Sequence, residues 1–450
     1  MNLDALLKQP EGKTLEFKGN LGAAEPFLRS VVAFANTAGG TILLGVEDRT
    51  RRVVGVQDPL VLEERLANLI SDAIRPRLIP EIALLPWRKT HLVAVRVFPS
   101  PNRPHYLKAV GQEEGVFVRV GSTDRKADRV LVDELRRYAR DTAFDEQPLV
   151  DLDSEALDFR AASELFAPVR RLTRRDLTVL GLVVKHQGSL RPTAGGVLLF
   201  GKERERLFPD AYIQAGRFGG RDRTRILDTV EIRGHLPTAV EEALAFVRKH
   251  ESVALAIRGA RHEEEWSLPV VAVREAVINA VVHANYAQRG APIRLSLFDD
   301  RLEVENPGLL PFGLTVEDIL QGVSKLRNRV IGRVFKELGL IEQWGSGIAR
   351  MVTACRDAGL TDPVFEEVGW HFRVTIRKER VAREAADPVE QAILSLLRDG
   401  KGHTTAEIAR AIGRTPRATR TRLAGLVARG VVTEVGSGPR DPKRKYYLAE

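Results

Sequence analysis

The chain has 450 residues, 44% of them hydrophobic and 29% charged, the composition of an ordinary globular protein able to bury cores in about three domains. Lys and Arg number 69 against 60 Asp and Glu, a formal net charge of +9, which points to polyanionic partners. No apolar run approaches the ~18 residues that would span a bilayer. The start Met-Asn-Leu-Asp lacks the features of a signal peptide, and the single cysteine, Cys355, excludes internal disulfides and a cysteine-based zinc site. A cytoplasmic protein with no membrane partner is expected.

In chain order, Thr14 to Lys18 alternates like a short strand, Phe27 to Asn36 carries apolar residues at helical spacing, and Gly39-Gly40 breaks that helix. The run T-I-L-L-G-V reads as a buried strand that delivers Glu47 and Asp48 to its end. Carboxylates in such a place need a cationic partner. Glu11, Glu16 and Asp48 therefore converge either on a divalent metal, for which oxygen ligands suit Mg²⁺ or Mn²⁺, or on basic side chains such as Lys18, Arg49 or Arg51.

The ordered blocks E-x-x-x-x-E-F-K, A-F-A-N-T-x-G-G and G-V-x-D resemble the Alba-type Schlafen domain. The resemblance implies an α/β domain that binds nucleic acid, DNA or RNA. In some members three acidic residues cut transfer or ribosomal RNA; by motif position these are Glu11, Glu16 and Asp48, which would also hold the Mn²⁺ or Mg²⁺. Arg51 to Val56 reads as the second half of a hairpin, Leu62 to Ile74 as an amphipathic helix, and Ile82 to Pro86 with His91 to Phe98 as paired strands. The block R-V-G-S places Arg119, with Ser122 and Thr123, where a phosphate contact or a capped strand end would serve equally. Lys18 and Arg119 are the nucleic-acid candidates of this domain, 1–140, which ends after a helix from Val130 to Arg140.

Residues 141–170 have no sustained periodicity before Leu157 and read as a linker. A domain over 171–380 follows. Leu172 to Lys185 reads as helix, P-T-A-G-G-V-L-L-F-G-K as a turn with a buried strand or helix, Y-I-Q-A-G-R-F and T-R-I-L-D-T-V-E-I as strands, and Leu236 to Lys249 as a long helix. In V-R-E-A-V-I-N-A-V-V-H-A-N-Y, Glu275 and Asn279 are four apart and share a helix face, with His283 a turn further on. Two strands joined at Asp299-Asp300 run into Asn306-Pro307-Gly308, and after S-K-L-R-N-R the turn Gly345-Ser346-Gly347 opens a helix whose N–H groups can receive phosphate.

This order of helix, hairpin, N-P-G, lid and G-S-G resembles a divergent GHKL-type ATPase domain, an α/β sandwich. The resemblance implies Mg²⁺ on Asn279, water polarised by Glu275 in a weak ATPase, base recognition at Asn306 and Gly308, and phosphates cradled by Gly345, Ser346 and Gly347. Two departures stand out. Asn306 replaces the adenine-reading aspartate, offering an uncharged acceptor, and His283-Ala-Asn-Tyr286 stands where relatives more often carry H-R-D-Y.

A charged linker, 381–388, leads to a tail, 389–450, read as helices Val389 to Arg398, Thr405 to Ile412 and Pro416 to Arg429 followed by strands V-V-T-E-V and K-Y-Y-L-A. The pattern resembles a winged helix-turn-helix. It would present Arg414, Arg417, Arg420 and Arg422 around the recognition helix and Arg440, Lys443, Arg444 and Lys445 in the wing, all suited to DNA phosphates and grooves. The chain thus reads as a multidomain α/β (α+β) protein. The leading function is a DNA-binding, ATP-binding transcriptional regulator. The competing one is a metal-dependent nuclease acting on RNA or single-stranded DNA in defence or stress, and a homo-oligomer stays open for either.

Overall fold

The alternating Thr14–Lys18 stretch forms the strand Leu15–Lys18, which pairs in parallel with Gly40–Leu44. Thr90–Val97 and Glu81–Trp87 continue antiparallel to complete a four-stranded sheet. Side chains alternate across it. On one face Ile42, Leu44, Val93, Val95 and Val97 pack with Phe27, Val31 and Phe34 of the helix Ala24–Asn36 and Leu66 and Ile70 of Pro59–Ala73. On the other, Leu15, Phe17, Leu43, Leu92 and Ala94 are covered by Leu3, Leu6 and Leu7. The expected hairpin partner at 51–56 shrinks to one bridge, Val46 to Val53.

The computed structural model describes residues 3–251, 254–258, 261–265, 267–342, 345–380, 388–428, 430–436, 441 and 444–448. They divide into two compact units, Met1–Glu379 and Arg380–Glu450. The fold is α+β and multidomain.

Within the first unit the hairpin Phe117–Val120 with Thr123–Lys126 leads to the helix Arg129–Ala139, capped by Asp128, whose side chain accepts from Leu131 N at 2.8 Å. Val116, Val118, Leu131 and Leu135 close around Phe312 from much later in the chain. The stretch 141–170, expected as a linker, is structural instead. Leu157, Ala162 and Phe166 join the large core, and Asp145, fully buried, accepts from the backbone N–H groups of Arg329, Val330 and Ile331 at 3.0, 2.7 and 2.9 Å, capping the helix Arg329–Glu337. The sequence hid this because the apolar residues of the stretch follow no sustained period and make their contacts far along the chain. The expected helix 172–185 is also cut short. It runs only Arg174–Val179 and gives way to a hairpin, Val183–His186 with Ser189–Pro192, turning at Gln187-Gly188. Both turn residues have positive φ, the backbone that matches the twist of paired strands.

A six-stranded sheet follows, in the order Ile226–Ile232, Ile213–Phe218, Ile293–Leu297, Arg301–Pro307, His371–Arg377, Val364–Val368. The helices Leu236–His250 and Val270–His283 pack together in the same core as Ile213, Ala215, Leu295, Val304 and Val374 from the sheet. The second of these helices is apolar nearly all round, as befits an element with neighbours on most sides. Three of its four polar side chains, Glu275, Asn279 and His283, line a cavity.

The second unit holds helices Pro388–Leu397, Thr405–Ala411 and Pro416–Ala428 and an antiparallel sheet ordered His403–Thr404, Lys445–Leu448, Val432–Val435. Ile393, Leu397, Ile408, Leu423, Leu426, Val432 and Tyr446 form its core. Thr404 and Glu407 make a reciprocal capping box. Residues 381–387 of the expected linker lie outside the described residues. Among the described residues no helix is long and apolar enough to cross a membrane.

Candidate functional site

Around the helix Val270–His283 the six-stranded sheet leaves a cleft of about 1040 Å³, mouth included. Glu275, Asn279 and His283 line it from the helix, Val304 and Asn306 from one strand, Phe372 and Val374 from its neighbour, and Gly345, Gly347 and Arg350 from the turn and helix beyond. Sequence reasoning placed Glu275, Asn279, Asn306, Gly345 and Gly347 here, and they meet on one cavity. Gly308 and Ser346 do not line it. Gly308 donates its N–H to Trp370 O at 2.8 Å, and Ser346 Oγ donates to Glu342 at 3.3 Å.

Glu275 is buried, its side chain 9% exposed, with Oε1 2.8 Å from an Arg350 guanidinium nitrogen. Burial raises its carboxyl above the usual range, and Arg350 opposes the rise. A Cβ at Gly347 would stand 2.6 Å from Glu275 Oε2 and 3.7 Å from Asn279 Nδ2, so a side chain there would push the Glu275 carboxylate from its place. Asn306 is buried and its amide donates to Pro307 O at 3.1 Å, leaving the carbonyl as the group able to accept from a base. Burial pushes His283 down to about 4, and its Nδ1 is enclosed without a hydrogen-bond partner. A polar end beside an apolar cleft fits a nucleotide in chemistry. Asn279, with its amide oxygen, is the residue that would hold a Mg²⁺ there.

Two contacts on this cleft had no sequence expectation. Arg350 lies three residues after Gly347, one helical turn along, which is the signal that was there to read. Arg327, in the pocket-lining segment 323–327, donates to Glu134 at 3.0 Å, His283 O at 2.8 Å and Leu309 O at 2.7 Å, tying the cleft to the helix Arg129–Ala139. Lys325 reaches the same helix, its ammonium 3.7 Å from the Tyr138 ring centroid. No local pattern announces partners almost 200 residues away.

The acidic trio is divided by its surroundings. Glu16 is buried between Arg119 at 2.5 Å, Lys18 at 2.6 Å and Ser30 Oγ at 3.0 Å, so its charge is already matched. Glu11 accepts from Phe17 N at 2.6 Å; burial raises its carboxyl, the Phe17 bond opposes, and a shared hydrogen bond with Asp48 raises it further. Asp48 is exposed. Among the described residues no three His, Cys, Asp or Glu side chains are grouped to hold a metal, and Glu16 as arranged is a poor fit to one. Arg119 is a correction. At 2% exposure, paired with Glu16 and with Asp124 at 2.9 Å, and 5.1 Å from the Phe34 ring centroid, it is an internal strut rather than a phosphate ligand, because a guanidinium so enclosed cannot reach solvent. Lys18 is half-buried on Glu16.

In the second unit Thr419, Leu423 and Leu426 face the core. At 100° per residue Arg417 falls about 150° from the centre of that face and Arg420 about 90° from it, on the flank, and both are exposed, as are Arg414, Arg422 and Lys445. Arg444 pairs with Glu434 at 2.7 Å. Arg440 and Lys443 lie outside the described residues.

Two family models match the chain. One, described as "Schlafen, AlbA_2", covers residues 11–128. The other, HATPase_c_4, described as "Putative ATP-dependent DNA helicase recG C-terminal", covers residues 290–376. Among solved structures the chain is similar to the DIP2311 protein from Corynebacterium diphtheriae, 22% identical over 97% of this chain and 92% of that one, with a TM-score of 0.46. It is also similar to the N-terminal domain of a "Putative ATP-dependent DNA Helicase RecG-related Protein" from Nitrosomonas europaea, 28% identical over 28% of this chain and 90% of that one, with a TM-score of 0.23. No curated protein gives a significant match. Residues 11–128 are thus similar to the Schlafen AlbA_2 family and residues 290–376 to the HATPase_c_4 family.

Proposed function

We propose that this protein is a DNA-binding transcriptional regulator whose first unit takes up ATP with Mg²⁺ and whose second unit, read as a winged helix-turn-helix, binds duplex DNA. The observation that carries the reading is the outward face of the Pro416–Ala428 helix, where Arg417 is exposed opposite a core of Thr419, Leu423 and Leu426 and Arg420 is exposed on the flank beside it. An arginine face of this kind on a helix braced by two others and a small sheet suits phosphates and a major groove. The cleft of Glu275, Asn279 and Asn306 supports the nucleotide, and the two family matches support nucleic acid and ATP as the ligand classes. The first domain serves as a second nucleic-acid surface; cleavage there has weaker support, since Glu16 is neutralised by Arg119 and Lys18. The test is duplex binding across a salt series. Each phosphate contact contributes about 0.9 to the slope of log affinity against log salt, so Arg417→Ala with Arg420→Ala should lower the slope by about 1.8. Unchanged duplex affinity after deletion of residues 388–450 would overturn the assignment.

A further inference from the structure

We propose that Arg350 is the phosphate-binding residue of the cleft, and that the Glu275 carboxylate occupies its seat until a nucleotide polyphosphate displaces it. The inference rests on the nucleotide reading of that cavity. Arg350 sits on the first turn of the Gly347–Asp357 helix and bridges two carboxylates, Glu275 at 2.8 Å and Glu342 at 2.8 Å. Its Nε is enclosed with no hydrogen-bond partner, so the planar fork that favours bidentate anion recognition is only partly used. Glu342 is an exposed partner, 59% accessible, and binds weakly for that reason. Glu275 is different, buried and lying against Gly347 so closely that a Cβ there would meet its Oε2 at 2.6 Å. A carboxylate oxygen held by a guanidinium at the start of a helix is chemically where a phosphate oxygen would go. His283, about two helical turns further along the same wall, is a second polar group of the cleft, its buried Nδ1 unpartnered.

Arg350 already carries two carboxylates; an incoming phosphate displaces the exposed Glu342 most easily and meets the buried Glu275 carboxylate as a repelling anion on the same guanidinium. A triphosphate carries several charges to the single one of Glu275, so it would win the contact and leave the carboxylate beside Asn279. The resting pocket is thereby latched on itself, and the latch costs nucleotide affinity. Removing the internal anion should tighten binding, whereas removing the cation should weaken it.

The experiment titrates the full chain by calorimetry with Mg·ATP, inorganic triphosphate and adenosine, comparing native protein with Glu275→Gln, Arg350→Met and Arg350→Lys. Glu275→Gln should bind Mg·ATP and triphosphate several-fold more tightly, and Arg350→Met about tenfold more weakly, the size of one charge-assisted contact; Arg350→Lys should fall between. Adenosine affinity should be the same in all four proteins, which separates loss of a phosphate contact from damage to the fold. Equal triphosphate affinity in native and Arg350→Met, or weaker binding in Glu275→Gln, overturns the latch while leaving the nucleotide pocket standing. Absence of binding by the native chain to both Mg·ATP and adenosine overturns the nucleotide reading itself, and the latch with it.

Discussion

Arg327→Met tests how the cleft is built into the rest of the first unit. The side chain is 9% exposed and donates to Glu134, itself 15% exposed, and to two backbone carbonyls, His283 O and Leu309 O. Methionine keeps much of the stem and removes every donor. Taking one partner from a buried ion pair costs about 3–5 kcal/mol because the other charge stays behind. Here Glu134 retains a hydrogen bond from Asn285 Nδ2 at 2.8 Å, which places the loss near the lower figure, about 3 kcal/mol. All four tryptophans, Trp87, Trp266, Trp344 and Trp370, precede residue 380, so urea unfolding followed by tryptophan fluorescence reports this unit alone. Glu134→Gln and the double variant complete a cycle whose coupling should reach about 1 kcal/mol or more, as contacting residues show. A loss below about 1 kcal/mol for Arg327→Met, or additive single variants, would refute the claim that this arginine clamps the pocket-lining segment to the Arg129–Ala139 helix.

Asp145 supplies a pH dependence. Burial pushes its carboxyl up to about 7 despite three backbone N–H donors, above the ~3.9 of an unfolded chain. Its folded form therefore holds a proton that the unfolded form releases, so its contribution is full below about pH 4 and lost as pH rises through about 7. Melting temperature measured from pH 4.5 to 7.5 should fall less in Asp145→Asn than in native protein; parallel curves would contradict this. Asn279→Ala should abolish Mg²⁺-dependent ATP binding, since the amide oxygen is the group offered to the metal, and calorimetry finding equal affinity would remove Asn279 from the site. With Mn²⁺ or Mg²⁺ present, transfer RNA, ribosomal RNA and both DNA forms should remain intact over hours, because the Glu16 charge is spent on Arg119 and Lys18. Cleavage that stops with EDTA and disappears in Glu16→Ala and Asp48→Ala would restore the nuclease reading.

Local chemistry alone was enough for much of this protein. Periodicity marked the Ala24–Asn36, Val270–His283 and Pro416–Ala428 helices, because a buried stripe or an all-round apolar helix leaves its spacing in the sequence. Motif order alone groups Glu275, Asn279, Asn306, Gly345 and Gly347, and these five line one cavity. What tertiary structure alone decided concerns partners far apart in the chain. Arg119 became a strut because Glu16, 103 positions away, meets it in the core; 141–170 became part of a core because Asp145 caps a helix starting 184 residues on; Arg350 gained its meaning from a glutamate 75 positions earlier. The physical reason is that a charge in a sequence carries no record of what will neutralise it. Burial and pairing arise only when the chain closes on itself, and they determine whether an arginine holds a fold together or waits for a phosphate.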